Sequence, residues 1–202
     1  MANALDWMNG QPHGGADARS ARDRLIRAAS ELFCRYGINA TGIDAIVEQS
    51  GTAKATLYKT FGSKEGLIEA VLKAEGAAWR AWFITQVESL PGTAAEKLAG
   101  SFDVLEHWFA QDRFFGCPFI NAVGEFDKVD MRYRNIALEH KLQVMNFISD
   151  LARQTGCAEP ESLAHQLGVI IDGAIVAAMV TKQPEMARYA KKTAMQLLGL
   201  AT

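Results

Sequence analysis

Marks of a secreted, membrane-bound or enzymatic protein are what this chain has least of. Its 202 residues hold three cysteines, Cys34, Cys117 and Cys157, which form no paired framework and fit a reducing cytoplasm. The first 18 residues contain no Lys or Arg and no long apolar core, so they do not read as a signal peptide. The longest apolar stretch, near Val169 to Val180, is broken by Asp172 and reads as too short to span a bilayer; no membrane partner is expected. Glycine-rich phosphate loops, HExxH, CxxC pairs and GxSxG elbows are all missing, which argues against the commoner enzymes. His13, His107, His140 and His165 are scattered, with no partner at ligand spacing, so neither metal nor cofactor is expected. Five prolines and few β-branched runs leave no convincing strand. The net charge is −2, with no strong basic patch.

What is present is helical periodicity throughout, in a chain 49% apolar. Met1 to Ala16, with Gly10, Pro12, Gly14 and Gly15, reads as a flexible tail. Residues 17–64 read as one small domain and 65–202 as another. A first helix runs Ser20 to Tyr36, with Leu25, Ala29, Leu32, Phe33 and Tyr36 on one face and Gly37 behind it. Thr41 stands three residues before Asp44, as in a capping box, and opens a short helix with Ile43, Ile46 and Val47 inside and Gly51 at its end. Thr52 can cap a third helix that Leu57 and Phe61 anchor, and Ser63 can cap a fourth.

Two short helices and a tight turn, packed on a first, have the shape of a helix-turn-helix DNA reader. Lys54, Ala55, Thr56, Tyr58, Lys59 and Thr60 are then the outward residues of the third helix. Small side chains allow approach to a groove, hydroxyls can bond phosphates or base edges, and lysines neutralise phosphate. Residues 17–64 hold eight Lys/Arg against five Asp/Glu, a local +3 in a chain of −2. The segment from Ala21 to Leu67 resembles the TetR/AcrR family of bacterial transcription regulators, most specifically at Leu57-Tyr58, Phe61 and Ser63-Lys64-Glu65. The resemblance implies that Tyr58 and Lys64 hold the DNA backbone and that Lys54, Ala55, Thr56, Lys59 and Thr60 include the base-reading positions. Thr41 and Thr52, at the starts of the second and third helices, complete the expected DNA-contacting set. It also implies a helical effector-binding and dimerisation domain for the rest.

That remainder divides into a long helix from Ser63 to about Ser89, then helices near 94–111, 117–126, 128–155, 161–181 and 184–198. Aromatic residues gather there. Trp79, Trp82, Phe83, Phe102, Leu105, Trp108, Phe109, Phe119, Ile120 and Val123 are core residues that can also line a pocket for an apolar or aromatic effector. Gly116 to Phe126 looks like a motif of many TetR-type effector domains, where the short helix adjoins the pocket. Asn121 and Glu125 share one face of it; they bond either a ligand or neighbouring backbone, and the second role is preferred. Cys117, before Pro118, is a small buried residue in preference to a sensor thiol, though it counts among the ligand candidates. On the last two helices, Leu163, Leu167, Ile170, Ile171, Ala174, Ala177 and Ala178, then Met186, Tyr189, Ala190, Thr193 and Leu197, form stripes expected to build a twofold four-helix interface.

These readings combine into an all-α, homodimeric regulator of double-stranded operator DNA, a repressor released by an unidentified small molecule, and not an enzyme. The alternatives are an activator or partner-controlled regulator without a ligand pocket, and a helical enzyme acting on an apolar substrate.

Overall fold

The computed structural model describes residues 20–126 and 131–201. The expected tail over 1–16 and the expected helix start at Lys128 lie outside them. The described residues form nine helices: α1 (Ala21–Tyr36), α2 (Ile43–Ser50), α3 (Lys54–Phe61), α4 (Lys64–Ser89), α5 (Ala94–Phe109), α6 (Pro118–Glu125), α7 (Met131–Gln154), α8 (Pro160–Thr181) and α9 (Met186–Leu197). The all-α expectation holds, and the helices agree with their expected bounds to within a turn.

The chain folds as two compact units that do not follow chain order. The first takes residues up to Trp79 together with Pro118–Leu138; the second takes Arg80–Cys117 and Glu139–Thr202. Thus α6 belongs to the unit that carries α1 to α3, although it follows α5 in sequence.

In the first unit, α1 packs on α2 and α3. Leu25 and Ala29 of α1, Ile46 of α2, Leu57 of α3 and Leu67 of α4 are fully buried. Each is the apolar residue of a three- or four-residue step, so hydrophobic burial alone sets the rotation of each helix. The Ser20 hydroxyl accepts from the Asp23 amide and caps α1, and the Ser63 hydroxyl accepts from the Gly66 amide at the start of α4.

Two expected caps are absent. Gly42 and Ala53 occupy the cap positions of α2 and α3, and neither supplies a side-chain bond. The Thr41 hydroxyl donates to the Gly37 carbonyl at 2.7 Å instead, and Thr52 shares a 2.8 Å hydrogen bond with Ser50. A threonine hydroxyl takes whichever backbone or hydroxyl partner is nearest, and here the partners lie on the preceding turn. Tyr36, expected on the apolar face of α1, is 57% exposed beneath Arg35; it is the last residue of its helix, at the end of the packed face.

In the second unit, α5, α8 and α9 pack on one another. A capping box of Thr93 and Glu96 starts α5. Helix α8 is 22 residues long and contains an 18-residue window of mean hydropathy 1.8, a length and composition that membrane spans and core helices of soluble proteins share. Asp172 lies within it, its carboxylate paired with Lys141 on α7. Part of the helix is buried against α5 and α9, while Val169, Val176 and Val180 stay exposed on another face.

Candidate nucleic-acid interface and effector core

Helix α3 is fixed by its one fully buried residue, Leu57. Lys54, Ala55, Tyr58, Lys59 and Thr60 are exposed around it, Tyr58 at 45%, while Thr56 is half-buried. The outer face therefore offers two ammonium groups, a phenol, a hydroxyl and a methyl on a rigid helix. Such a face can follow a phosphate-lined groove and reach its floor. Lys54 Nζ lies 2.8 Å from the Asp44 carboxylate on α2; that hydrogen bond, then the charge, raises the Lys54 pKa above the ordinary lysine value. The Arg24 guanidinium donates to the Ser50 carbonyl at 3.2 Å, and Gln49 donates to Glu31 at 2.8 Å; both tie the end of α2 to α1. Neither was singled out from sequence, since pairs across two helices have no local spacing.

Three of the expected DNA contacts are placed elsewhere than on this face. Thr41 is 4% exposed, within the turn before α2. Thr52 is half-buried on Ser50. Lys64 is half-buried, and its ammonium group donates to the Ile38 carbonyl at 2.8 Å.

The residues expected to bind an effector fall on both units. Trp79, Phe119, Ile120, Asn121, Val123 and Glu125 belong to the first; Trp82, Phe83, Phe102, Leu105, Trp108, Phe109 and Cys117 belong to the second. Phe119 is buried, and Trp79, Ile120, Asn121 and Val123 are half-buried. The Glu125 carboxylate accepts from the Asn39 amide at 2.9 Å. That is a backbone bond, as preferred, but to a turn 86 residues away rather than to a neighbour.

In the second unit, Phe83, Phe102, Leu105, Trp108, Phe109 and Cys117 are all buried, and Trp82 is half-buried. Trp108, Phe109 and Phe114 form a ring cluster, with Phe114 5.0 Å from Trp108 and 4.8 Å from Phe109. Beside Phe83 and Phe102 lies a cavity of about 10 Å³, completed by Val87, Leu98, Ser101, Phe147, Ile148, Leu151, Leu167 and Ile171. That is room for about one water molecule. The lining is apolar except for Ser101, whose hydroxyl already donates to the Leu98 carbonyl. On the polar side of the unit, Arg80 donates to His140 Nδ1 at 2.9 Å. Arginine can only donate, so His140 is the neutral tautomer with its proton on Nε2; burial first, then Arg80 and Lys141, push its pKa down to about 3.

The expected interface stripe on α8 needs correction. Leu163, Leu167, Ile171, Ala174 and Ala178 are buried within the chain, with Ile170 and Ala177 half-buried. Leu167 and Ile171 line the cavity. The face left open is Val169, Gly173, Val176 and Val180, in steps of four, three and four. Sequence could not choose between two apolar faces of one helix. On α9, Tyr189, Thr193 and Leu197 are exposed, and Met186 and Ala190 half-buried.

Comparison with known proteins gives these faces a context. Residues 25–71 match the family model described as bacterial regulatory proteins, tetR family. The chain is 27% identical to a TetR-family transcriptional regulator from Streptomyces coelicolor of known crystal structure, with a TM-score of 0.80 over 89% of this chain and 94% of that one. It is 32% identical over 130 residues to the HTH-type transcriptional repressor KstR2 of Mycolicibacterium smegmatis, spanning 60% of this chain and 62% of the relative. An HTH-type regulator from the lacX 3' region of Lactococcus lactis is 24% identical over 81% of this chain and 86% of its own length.

Proposed function

The chain belongs to the TetR family of DNA-binding transcription regulators, and from that premise we propose that it is a homodimeric repressor. A small, largely apolar or aromatic molecule would release it from a palindromic operator. The observation that carries this reading is the outer face of α3, where Lys54, Ala55, Tyr58, Lys59 and Thr60 stand exposed around a buried Leu57. One such reader covers one half-site, and a palindrome needs two, about 34–36 Å apart.

The open stripe of Val169, Gly173, Val176 and Val180, with Tyr189 and Leu197 beside it in sequence order, is the surface we assign to the dimer. Its alternating three- and four-residue steps suit side-by-side helix packing, and Gly173 permits close approach. The effector site we assign to the aromatic core of the second unit, where Phe83, Phe102 and Phe147 surround a small cavity. An apolar molecule must enlarge that cavity, so binding favours a conformation other than this one. Such differential affinity for two conformations is what couples a ligand to DNA release. The protein acts where its operator lies, in the cytoplasm.

The test is operator affinity, by fluorescence anisotropy, with and without aromatic hydrocarbons and fatty acids first shown by calorimetry to bind. A bound compound should weaken operator binding about 5- to 150-fold. Equal affinities would sink the coupling. The small volume of the cavity favours, as a second reading, control by a protein partner; a panel in which no compound binds would support it.

A further inference from the structure

The end of α6 is fastened to the turn that leads into the DNA reader. Glu125 Oε2 accepts the Asn39 backbone amide at 2.9 Å, and the Asn39 side-chain amide donates to the Glu125 carbonyl at 2.8 Å. The carboxylate lies over Gly37, whose φ is +91°; a Cβ there would come within 3.2 Å of Oε2. Glycine at 37 therefore serves both the backbone conformation and the approach of the carboxylate.

The rest of this turn is tied as well. Gly37 O accepts from the Thr41 hydroxyl, and Ile38 O accepts from Lys64 Nζ. On the other side of Glu125, Phe126 stacks on Tyr133 of α7 with ring centroids 4.3 Å apart, and Arg132 pairs with Glu69 of α4 at 3.7 Å. All these contacts lie within the first unit. The turn is followed directly by α2, whose Gly42 start lacks a side-chain cap. In its first turn Asp44 pairs with Lys54 of α3, and the clamp from α6 joins the Thr41 and Lys64 bonds in holding the turn that precedes it.

We propose that Glu125 is a positioning residue for DNA recognition: its carboxylate and carbonyl clamp Asn39 over Gly37 and so set where α2, and α3 behind it, stand. The proposal rests on the regulator reading and names a route of control within it. Helix α6 is joined at Cys117-Pro118 to the second unit by the chain itself. A displacement of α6 then reaches the reader directly through Glu125, without having to travel along α4.

The test uses the full chain and duplexes selected by the wild-type protein from a random pool. Wild type, Glu125→Ala, Glu125→Gln and Asn39→Ala are compared by anisotropy on selected and scrambled DNA at two salt concentrations, and by amide exchange over residues 36–42. Glu125→Ala should lose about tenfold in affinity for selected DNA, keep its affinity for scrambled DNA and its salt slope, and exchange faster at the turn. Glu125→Gln retains an acceptor for the Asn39 amide and should stay near wild type; Asn39→Ala, which keeps that amide, should fall between. A general loss of fold would instead weaken both DNAs and the Gln variant alike, and would overturn the positioning role. Wild-type affinity or unchanged exchange in Glu125→Ala would overturn the clamp while leaving the regulator intact. A wild-type protein that selects no sequence would overturn the regulator reading, and this proposal with it.

Discussion

Tyr58 and Lys59 carry the plainest expectations at the scale of single residues. Both are exposed on α3. Lys59→Ala should weaken binding to selected and scrambled duplexes, reduce the salt slope by about one and, at a base-reading position, also change the sequence preferred. Tyr58→Phe should weaken both DNAs with little change in slope, because it removes a donor and no charge. Anisotropy titrations across salt concentrations read both; normal binding by both variants would mean that this face does not meet phosphate. Glu75 offers a test without DNA. It is buried on α4 against the Ser30 hydroxyl, and burial pushes its carboxyl up to about 7 despite that hydrogen bond. A folded pKa above the unfolded value of 4.5 means that the contribution to stability is full below pH 4.5, falls as pH rises, and is gone above about 7. Glu75→Gln should therefore be more stable than wild type at pH 8, by on the order of 1–3 kcal/mol, with the gap closing toward pH 4. Denaturant unfolding at the two pH values checks this. His140 runs the other way: its folded pKa of about 3 lies below 6.5, so its contribution is present above 6.5 and lost as pH falls toward 3.

Among the elements, what sequence reveals and what it hides divide along physical lines. Helix existence and extent are legible because periodic burial and glycine stops act within one helix. Gly37 and Gly51, at φ +91° and +61°, stand where the chain turns out of α1 and α2. Caps are less legible: Thr41 and Thr52 have the right chemistry but sit one residue before the actual cap positions, and their hydroxyls find other partners. For Glu125 a backbone bond is legible but its partner is hidden, since Asn39 is 86 residues distant and no period connects them. On α8 the apolar residues cover more than one face, so sequence shows a stripe without saying which part turns inward. The structure turns Leu167 and Ile171 inward and leaves Val169, Val176 and Val180 out, Val169 at 74% exposure. Val176→Glu places a charge on that open face. It should shift wild-type dimers to monomers in sedimentation velocity at micromolar concentration, without loss of helix content by circular dichroism; unchanged dimers would move the interface elsewhere.

For the whole molecule, the proposed function turns on α3 reading a specific duplex as one half of a pair. Loss of the dimer and loss of α3 side chains should both abolish tight binding, but differently: Val176→Glu should make affinity depend on protein concentration, and Lys59→Ala should not. The most direct measurement is anisotropy of a duplex selected from a random pool, against a scrambled duplex, at two salt concentrations. The selected site should be palindromic and bound at least about a thousandfold more tightly than the scramble at physiological salt, with two chains per duplex. Equal, weak binding to both duplexes that vanishes as salt rises would contradict the proposed function.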